Sequence, residues 1–352
     1  ALGWRGAPMK HNRVGCQSSG FCELGCSYDA KQNALKVVLP QAAEAGAVIY
    51  SNVEARRITF EGGRVTGLEA IAKGDAGQAV ATLRIRARLV VLSASATGSS
   101  ALAIASGAPD PNEQLGVGLR IHPGAVVAGL FDKDLRSYDG IPQSYECTEL
   151  LRFEKGSDAR CWLIPAFAHP IGTASMFPGF GAAHMRAMRN YSHLAVVTAM
   201  VHDETSGRVS ATSDARPKIH YSMLESDRQQ MAKGLVAGAR ILFAAGAREV
   251  TIPAIPPVTL KSAKELDSLD TSFVQPFSVP ITAVHPMGGL RMGEDPRTSA
   301  VKSTGEHHLV RGLFACDGSV FPTSIGGPPQ IGIYSTALRI AGHAVEYAKT
   351  SL

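Results

Sequence analysis

The chain has 352 residues, 45% hydrophobic and 18% charged, with 36 glycines and 20 prolines. That length suits one large or two medium domains with a sizeable core, and the composition excludes a disordered chain. Its 35 basic and 30 acidic residues leave a net charge of only +5. The small excess is spread out, which argues against nucleic-acid binding. No apolar run approaches the roughly 18 residues that span a bilayer, so no transmembrane segment is expected.

The opening stretch, ALGWRGAPMKHNRVG, has no initiator Met and no signal pattern. It reads as the interior of a longer protein, which leaves the compartment open, with a slight leaning to a soluble, cytoplasmic one. Three of the six cysteines, Cys16, Cys22 and Cys26, then fall within GCQSSGFCELGC (15–26). This pattern does not resemble a disulfide-dense secreted scaffold. Three thiolates are enough for a three-iron cluster and one short of a regular four-iron site. A structural zinc site would want a fourth ligand and a Cys-x-x-Cys pair. Buried free thiols are the plain alternative, and Cys147, Cys161 and Cys316 read as packing residues.

Residues 30–47 have helical spacing, with Leu35, Val38 and Leu39 on one face and Gly46 at the end. Residues 48–72 read as strands joined by a hairpin turn at Glu61-Gly62-Gly63-Arg64. The basic run RIRAR (84–88) alternates with apolar residues and reads as a strand with one charged face. The apolar run Leu89 to Leu92 suits a strand covered on both faces. It breaks into small residues and then a short helix, a unit in which backbone can approach a ligand closely.

The middle, 126–280, carries strand candidates at 193–201 and 207–212 and a helix over 227–247. In that helix Met231, Leu235, Gly238 and Leu242 form a core stripe. This region reads as a second domain inserted between two parts of the first. Residues 161–185 hold Trp162, Phe167, Met176, Phe177 and Phe180 and no charge until Arg186. Such a wall suits a bulky apolar ligand better than a sugar, which would want hydrogen-bonding side chains. Near the carboxyl end, residues 312–348 read as a short strand, Asp317, a Gly/Pro turn and a long amphipathic helix. Asp317 thus stands where an α/β protein places a polar residue against a cofactor.

Three segments resemble the glucose–methanol–choline family of flavin oxidoreductases: HPMGGLRMG (285–293), GLFACDGSVFPTSIGGPPQ (312–330) and LVVLSASATGSSALAIASG (89–107). GVGLRIHPG (116–124) fits the stretch after the last of these. The cysteine-rich region and YDAKQNALKVVLPQAAEAGA most resemble the branch with long-chain alcohol and sterol-type oxidoreductases. The resemblance implies an α/β (α+β) fold. An incomplete FAD-binding doubly wound domain would cover 1–125 and 281–352. An inserted antiparallel-sheet substrate domain would cover 126–280. The family's Gly-x-Gly-x-x-Gly loop is not found, so the missing N-terminal flavin-binding segment or chain would precede Ala1 and is an expected partner.

The resemblance further implies FAD as cofactor and His285 as the base that takes a hydroxyl proton while hydride passes to flavin N5. It places Asp317, Gly318 and Ser319 against the ribityl or phosphate part, Pro329 and Gln330 behind the ring, and Ser95, Ala96 and Thr97 along the flavin. The family's second polar residue falls at Pro328, which has no polar side chain; Gln330 or His202 would have to replace it. The cysteine intervals also equal those of iron–sulfur-bearing sugar dehydrogenases, which implies a 3Fe–4S cluster on Cys16, Cys22 and Cys26.

The expected function is oxidation of a small-molecule, bulky apolar alcohol, with dioxygen, a quinone or a cytochrome as electron acceptor. Two alternatives stay open. One is a sugar dehydrogenase subunit that passes electrons through the cluster to a cytochrome. The other is a non-catalytic remnant or binding module.

Overall fold

The computed structural model describes residues 1–22, 24–154, 157–166, 169–177 and 179–351. In chain order the strands are β1 (Gly6–Pro8), β2 (Val53–Glu61), β3 (Arg64–Lys73), β4 (Ala79–Arg86), β5 (Val90–Leu92), β6 (Val117–Leu119), β7 (Gly124–Leu130), β8 (Tyr145–Cys147), β9 (Cys161–Ala166), β10 (Leu194–Val201), β11 (Gly207–Ala211), β12 (Pro217–His220), β13 (Glu249–Ile252), β14 (Val258–Leu260) and β15 (Leu313–Ala315). The α-helices are α1 (Ala34–Glu44), α2 (Ser95–Ala105), α3 (Pro170–Met176), α4 (Gly181–Met188), α5 (Glu225–Ala244) and α6 (Gln330–Ser351). The architecture is mixed α/β, as the sequence implies.

The chain divides into two compact units, one of residues 1–49, 123–202 and 225–282, the other of 50–122, 203–224 and 283–352. Two stretches fall on the other side of the expected bounds. Residues 1–49 join the middle of the chain, because β1 pairs with β8, Gly6 opposite Cys147. Residues 203–224 leave the middle, because β11 pairs with β6 and β12. Both pairings rest on strands of three to five residues, too short to carry a hydrophobic period.

The first unit is built on a seven-stranded sheet of order β1-β8-β9-β10-β7-β13-β14, whose neighbours pair antiparallel. Helix α5 packs on it with the expected stripe: Met231 and Leu235 are wholly buried and Leu242 nearly so. The helix approaches closely at Gly234, where a Cβ would meet the Cys161 thiol at 2.3 Å. One buried ion pair fastens the helix start. Arg160 Nη1 donates to Asp227 Oδ1 at 2.8 Å, with the two side chains 4% and 0% exposed. Helix α1 starts at Asn33, whose side chain accepts the Lys36 N–H. Its predicted apolar residues Leu35, Val38 and Leu39 are exposed.

In the second unit the β2–β3 hairpin turns through Gly62 and Gly63, both at positive φ, with Glu61 opposite Arg64. That is the turn the sequence indicates, since a tight hairpin needs left-handed residues there. Strand β4 completes a three-stranded sheet as an edge, largely exposed and charged. Strand β5 runs parallel to β15 and is followed by α2. Val90 and Leu92 are buried but Val91 is 41% exposed, so β5 is covered on one face rather than both. The core around this pair includes Ile58, Leu290, Leu313, Phe314 and Ile340, each no more than 2% exposed. Full burial of such a side chain is worth about 1.5–3 kcal/mol.

Among the described residues no helix is long and apolar enough to cross a membrane.

Two outcomes follow for stability. Asp227→Ala takes the carboxylate of the Arg160–Asp227 pair away from a buried guanidinium, and urea unfolding should show a loss of about 3–5 kcal/mol. His307 is buried, its Nδ1 accepts the Leu309 N–H at 3.1 Å, and burial pulls its pKa from 6.5 down to about 4. The depressed pKa means that its contribution is complete above pH 6.5 and is lost as pH falls through about 4. Unfolding curves of His307→Gln should therefore lack a pH-dependent component on the order of 3 kcal/mol that the parent shows across that window.

Candidate active site

Strands β5 and β15 end side by side, Leu92 opposite Ala315. In open α/β sheets ligands bind off the carboxyl ends of such strands. Past both ends the backbone turns. Ser93 and Ala94 lead into α2, and Cys316 and Asp317 lead into a 3-10 turn over Gly318–Val320.

The two turns are stitched together. The Cys316 N–H donates to Leu92 O at 2.8 Å, and the Ser93 hydroxyl donates to Cys316 O at 3.3 Å. Ser99 receives the Ala94 N–H at 2.8 Å and donates to Asp317 Oδ2 at 2.5 Å. Asp317 Oδ1 accepts the Ser319 N–H at 2.8 Å, capping the 3-10 turn. Asp317 and Ser319 are both buried, and the Ser319 hydroxyl has no hydrogen-bond partner among the described residues. Helix α2 begins at Ala94 without a capping side chain. Its first N–H groups and its dipole therefore suit an anionic group.

The histidine segment is laid against these turns by backbone hydrogen bonds. Gly288 N–H donates to Gly318 O, Leu290 N–H to Ser319 O and Met292 N–H to Val320 O, each at 2.9 Å. Gly289, at φ +97, passes so near α2 that a Cβ would meet the Ser100 hydroxyl at 2.3 Å. Only glycine fits this approach. His285 heads the segment and is half-buried. Burial lowers its pKa from the ordinary 6.5, favouring the neutral ring. Its Nδ1 lies 3.1 Å from Nδ1 of His122, with ring centroids 5.3 Å apart.

The structure thus brings together Ser95, Ala96 and Thr97, Asp317, Gly318 and Ser319, and the segment led by His285. Ser95 is exposed and Thr97 half-buried, whereas Ala96 packs among Ala101, Leu119 and Val209. Pro329 is buried and Gln330 exposed at the start of α6. The Gln330 amide donates to the Tyr334 hydroxyl at 3.2 Å, and Pro328 beside them is exposed. His202 belongs to the first unit. Of the proposed apolar wall, Trp162 is core and Phe180 is 93% exposed; Phe167 lies outside the described residues.

Sequence reasoning missed Ser99 and His122. Ser99 gave no signal beyond its place in a small-residue turn. His122 stood in GVGLRIHPG, but its partner is 163 positions away.

Nothing among the described residues supports the iron–sulfur expectation. Cys16, Cys22 and Cys26 are free and half-buried, and no group of His, Cys, Asp or Glu able to hold a metal forms among the described residues. Two of the thiols serve their own turns. Cys16 Sγ accepts the Ser18 N–H and Cys26 Sγ the Ala30 N–H. Backbone hydrogen bonds from Lys31 and Ala30 lower the Cys26 pKa below its ordinary 9.0. Spacing in the chain does not make the three converge. Iron and acid-labile sulfide in the purified protein should accordingly stay at background, and a stoichiometric content of either would reverse this.

Two family models described as GMC oxidoreductase match residues 1–124 and 203–337. An uncharacterised GMC-type oxidoreductase of Mycobacterium tuberculosis is 34% identical over 98% of this chain and 53% of its own. Long-chain-alcohol oxidase FAO3 of Arabidopsis thaliana is 28% identical over 100% of this chain and 50% of its own. The chain spans about half the length of the curated relatives it matches. Pyridoxine 4-oxidase from Mesorbium loti superposes with a TM-score of 0.67 at 19% identity, over 93% of this chain and 64% of that one. Formate oxidase of Aspergillus oryzae gives 0.60 at 15%, over 85% and 60%. At those identities the likeness is one of fold.

Proposed function

Because the chain belongs to the GMC oxidoreductase family, we propose that it takes part in the FAD-dependent oxidation of an alcohol, with His285 accepting the hydroxyl proton. One observation carries this reading. The backbone of Gly288 and Leu290 is hydrogen-bonded to Gly318 and Ser319, which holds an imidazole beside the turn off the β5–β15 ends.

The residues fit a flavin nucleotide. The uncapped start of α2 at Ser95, Ala96 and Thr97 suits phosphate, and the buried Ser319 hydroxyl lacks a partner among the described residues. Asp317, Gly318 and Ser319 are the proposed contacts on one side, with Pro329 and Gln330 behind. When bound, the flavin supplies the hydride acceptor. His285 supplies the proton acceptor, and its burial keeps the ring neutral to lower pH than a free imidazole. Dioxygen is the proposed electron acceptor, by likeness to relatives named as oxidases.

An apolar substrate is the reading favoured by the first unit. Val126, Ala128 and Val196 of its sheet, with Met176, Phe177 and Pro253, line a cavity of about 100 Å³. The polar side chains in its lining are those of Thr173 and Thr251, too little hydrogen bonding for a sugar. Relatives named as long-chain-alcohol oxidases agree with this choice.

Anaerobic bleaching of the FAD-reconstituted protein by primary alcohols from butanol to stearyl alcohol, with a sterol and glucose alongside, tests both parts. The longer alcohols should bleach it faster than glucose. His285→Ala should slow bleaching by roughly 10²–10⁴-fold; an unchanged rate removes this residue from the chemistry.

A further inference from the structure

We propose that His122 is a positioning residue for His285: its Nδ1 accepts the Nδ1–H of His285, leaving Nε2 of His285 as the nitrogen that takes the proton. The proposal rests on the reading of His285 as the base.

Two imidazole nitrogens 3.1 Å apart share one proton, since two lone pairs or two N–H groups facing each other would repel. The pairing is set by backbone. Arg120 N–H donates to Met287 O and Met287 N–H to Arg120 O, both at 2.8 Å, an antiparallel bridge. Continuing that register by two residues sets His122 opposite His285. The rings meet because the chain is paired there, and neither side chain has to search for the other.

His122 is also held at a cost. It is 1% exposed and adopts φ +56, a left-handed backbone unusual for a residue with a side chain. Such a conformation persists where surrounding groups impose it. Here the imposing group is the buried carboxylate of Asp203. It accepts the Ile121 N–H at 3.1 Å, the His122 N–H at 3.3 Å and the Tyr221 hydroxyl at 2.8 Å. Asp203, itself 1% exposed, thus fixes the backbone that aims the His122 ring.

The direction of the shared proton follows from the chemistry. If His122 donated, His285 Nδ1 would be occupied as acceptor and its Nε2 would already carry hydrogen, so the ring could accept nothing without breaking the pair. With His285 donating, Nε2 holds a free lone pair. With a flavin bound as hydride acceptor, the alcohol O–H proton would move to that lone pair as hydride left the carbon, and a carbonyl would remain. His285 is then a cation whose Nδ1–H bond to His122 is charge-assisted and stronger than before. The interaction favours the protonated ring formed during reaction over the neutral ring that precedes it, which is the differential stabilisation that raises rate.

Histidine ¹⁵N–¹H correlation spectra of the labelled protein without substrate report the ring tautomers directly. His285 should be the Nδ1–H tautomer in the parent and in His122→Asn, whose amide oxygen accepts and whose backbone tolerates left-handed φ. His122→Phe should release it to the Nε2–H form. In anaerobic bleaching His122→Phe should lower the limiting rate by roughly 10²-fold with half-saturation unchanged, and His122→Asn should recover most of it. An Nε2–H tautomer for His285 in the parent, or no change in His122→Phe, overturns the proposal. Should no alcohol bleach the flavin, the reading of function falls, and the tautomers still decide the pairing.

Discussion

The backbone hydrogen bonds between the histidine segment and the turn after β15 are the constraint on which the placement of His285 depends. A side chain can be placed by packing alone, but an imidazole on a loop has many rotamers and a mobile base. Three N–H to carbonyl bonds at 2.9 Å, from Gly288, Leu290 and Met292, remove the second freedom. They lay the loop along Gly318–Val320 almost as a strand would lie, without strand composition. Gly289 is the requirement they impose, because the path passes against α2 where no Cβ fits.

Around that constraint the polar groups are arranged in sequence. Asp317 caps its own turn through Ser319 and receives Ser99. Ser99 in turn receives Ala94 at the start of α2. A buried carboxylate is accommodated where N–H and O–H groups donate to its oxygens. Asp203 repeats the device at a second place, gathering two backbone N–H groups and the Tyr221 hydroxyl. Both carboxylates organise backbone, and each does so next to a residue assigned to the chemistry.

Much of the fold was legible where the pattern was local. The Gly62-Gly63 hairpin needs only positive φ at two neighbouring positions, and the α5 stripe needs only a helical period. Asp317 and His285 stand out in the sequence through the motifs around them, as parts of a family resemblance. The cysteine trio shows the opposite case. Clustering in the chain suggested shared ligation, yet the Cys16 and Cys26 thiols are taken up by amides of their own turns. The short strand β1 carries no period at all and joins its sheet through pairing alone. Ser99 and His122 were hidden for the same reason: what gives them meaning is a partner far along the chain, and composition does not report partners.

The parallel pairing of β5 with β15 has a kinetic side. Ser93 and Cys316, which close the turn at its end, stand 223 positions apart. Joining them requires a long loop to close, an entropic cost that local contacts cannot offset and that slows folding. The joined turns at the strand ends therefore take shape only when the core around Leu313 and Phe314 condenses. No fragment containing just one of the two segments can hold them, and a nick in the intervening chain leaves them intact only while that core stays shut.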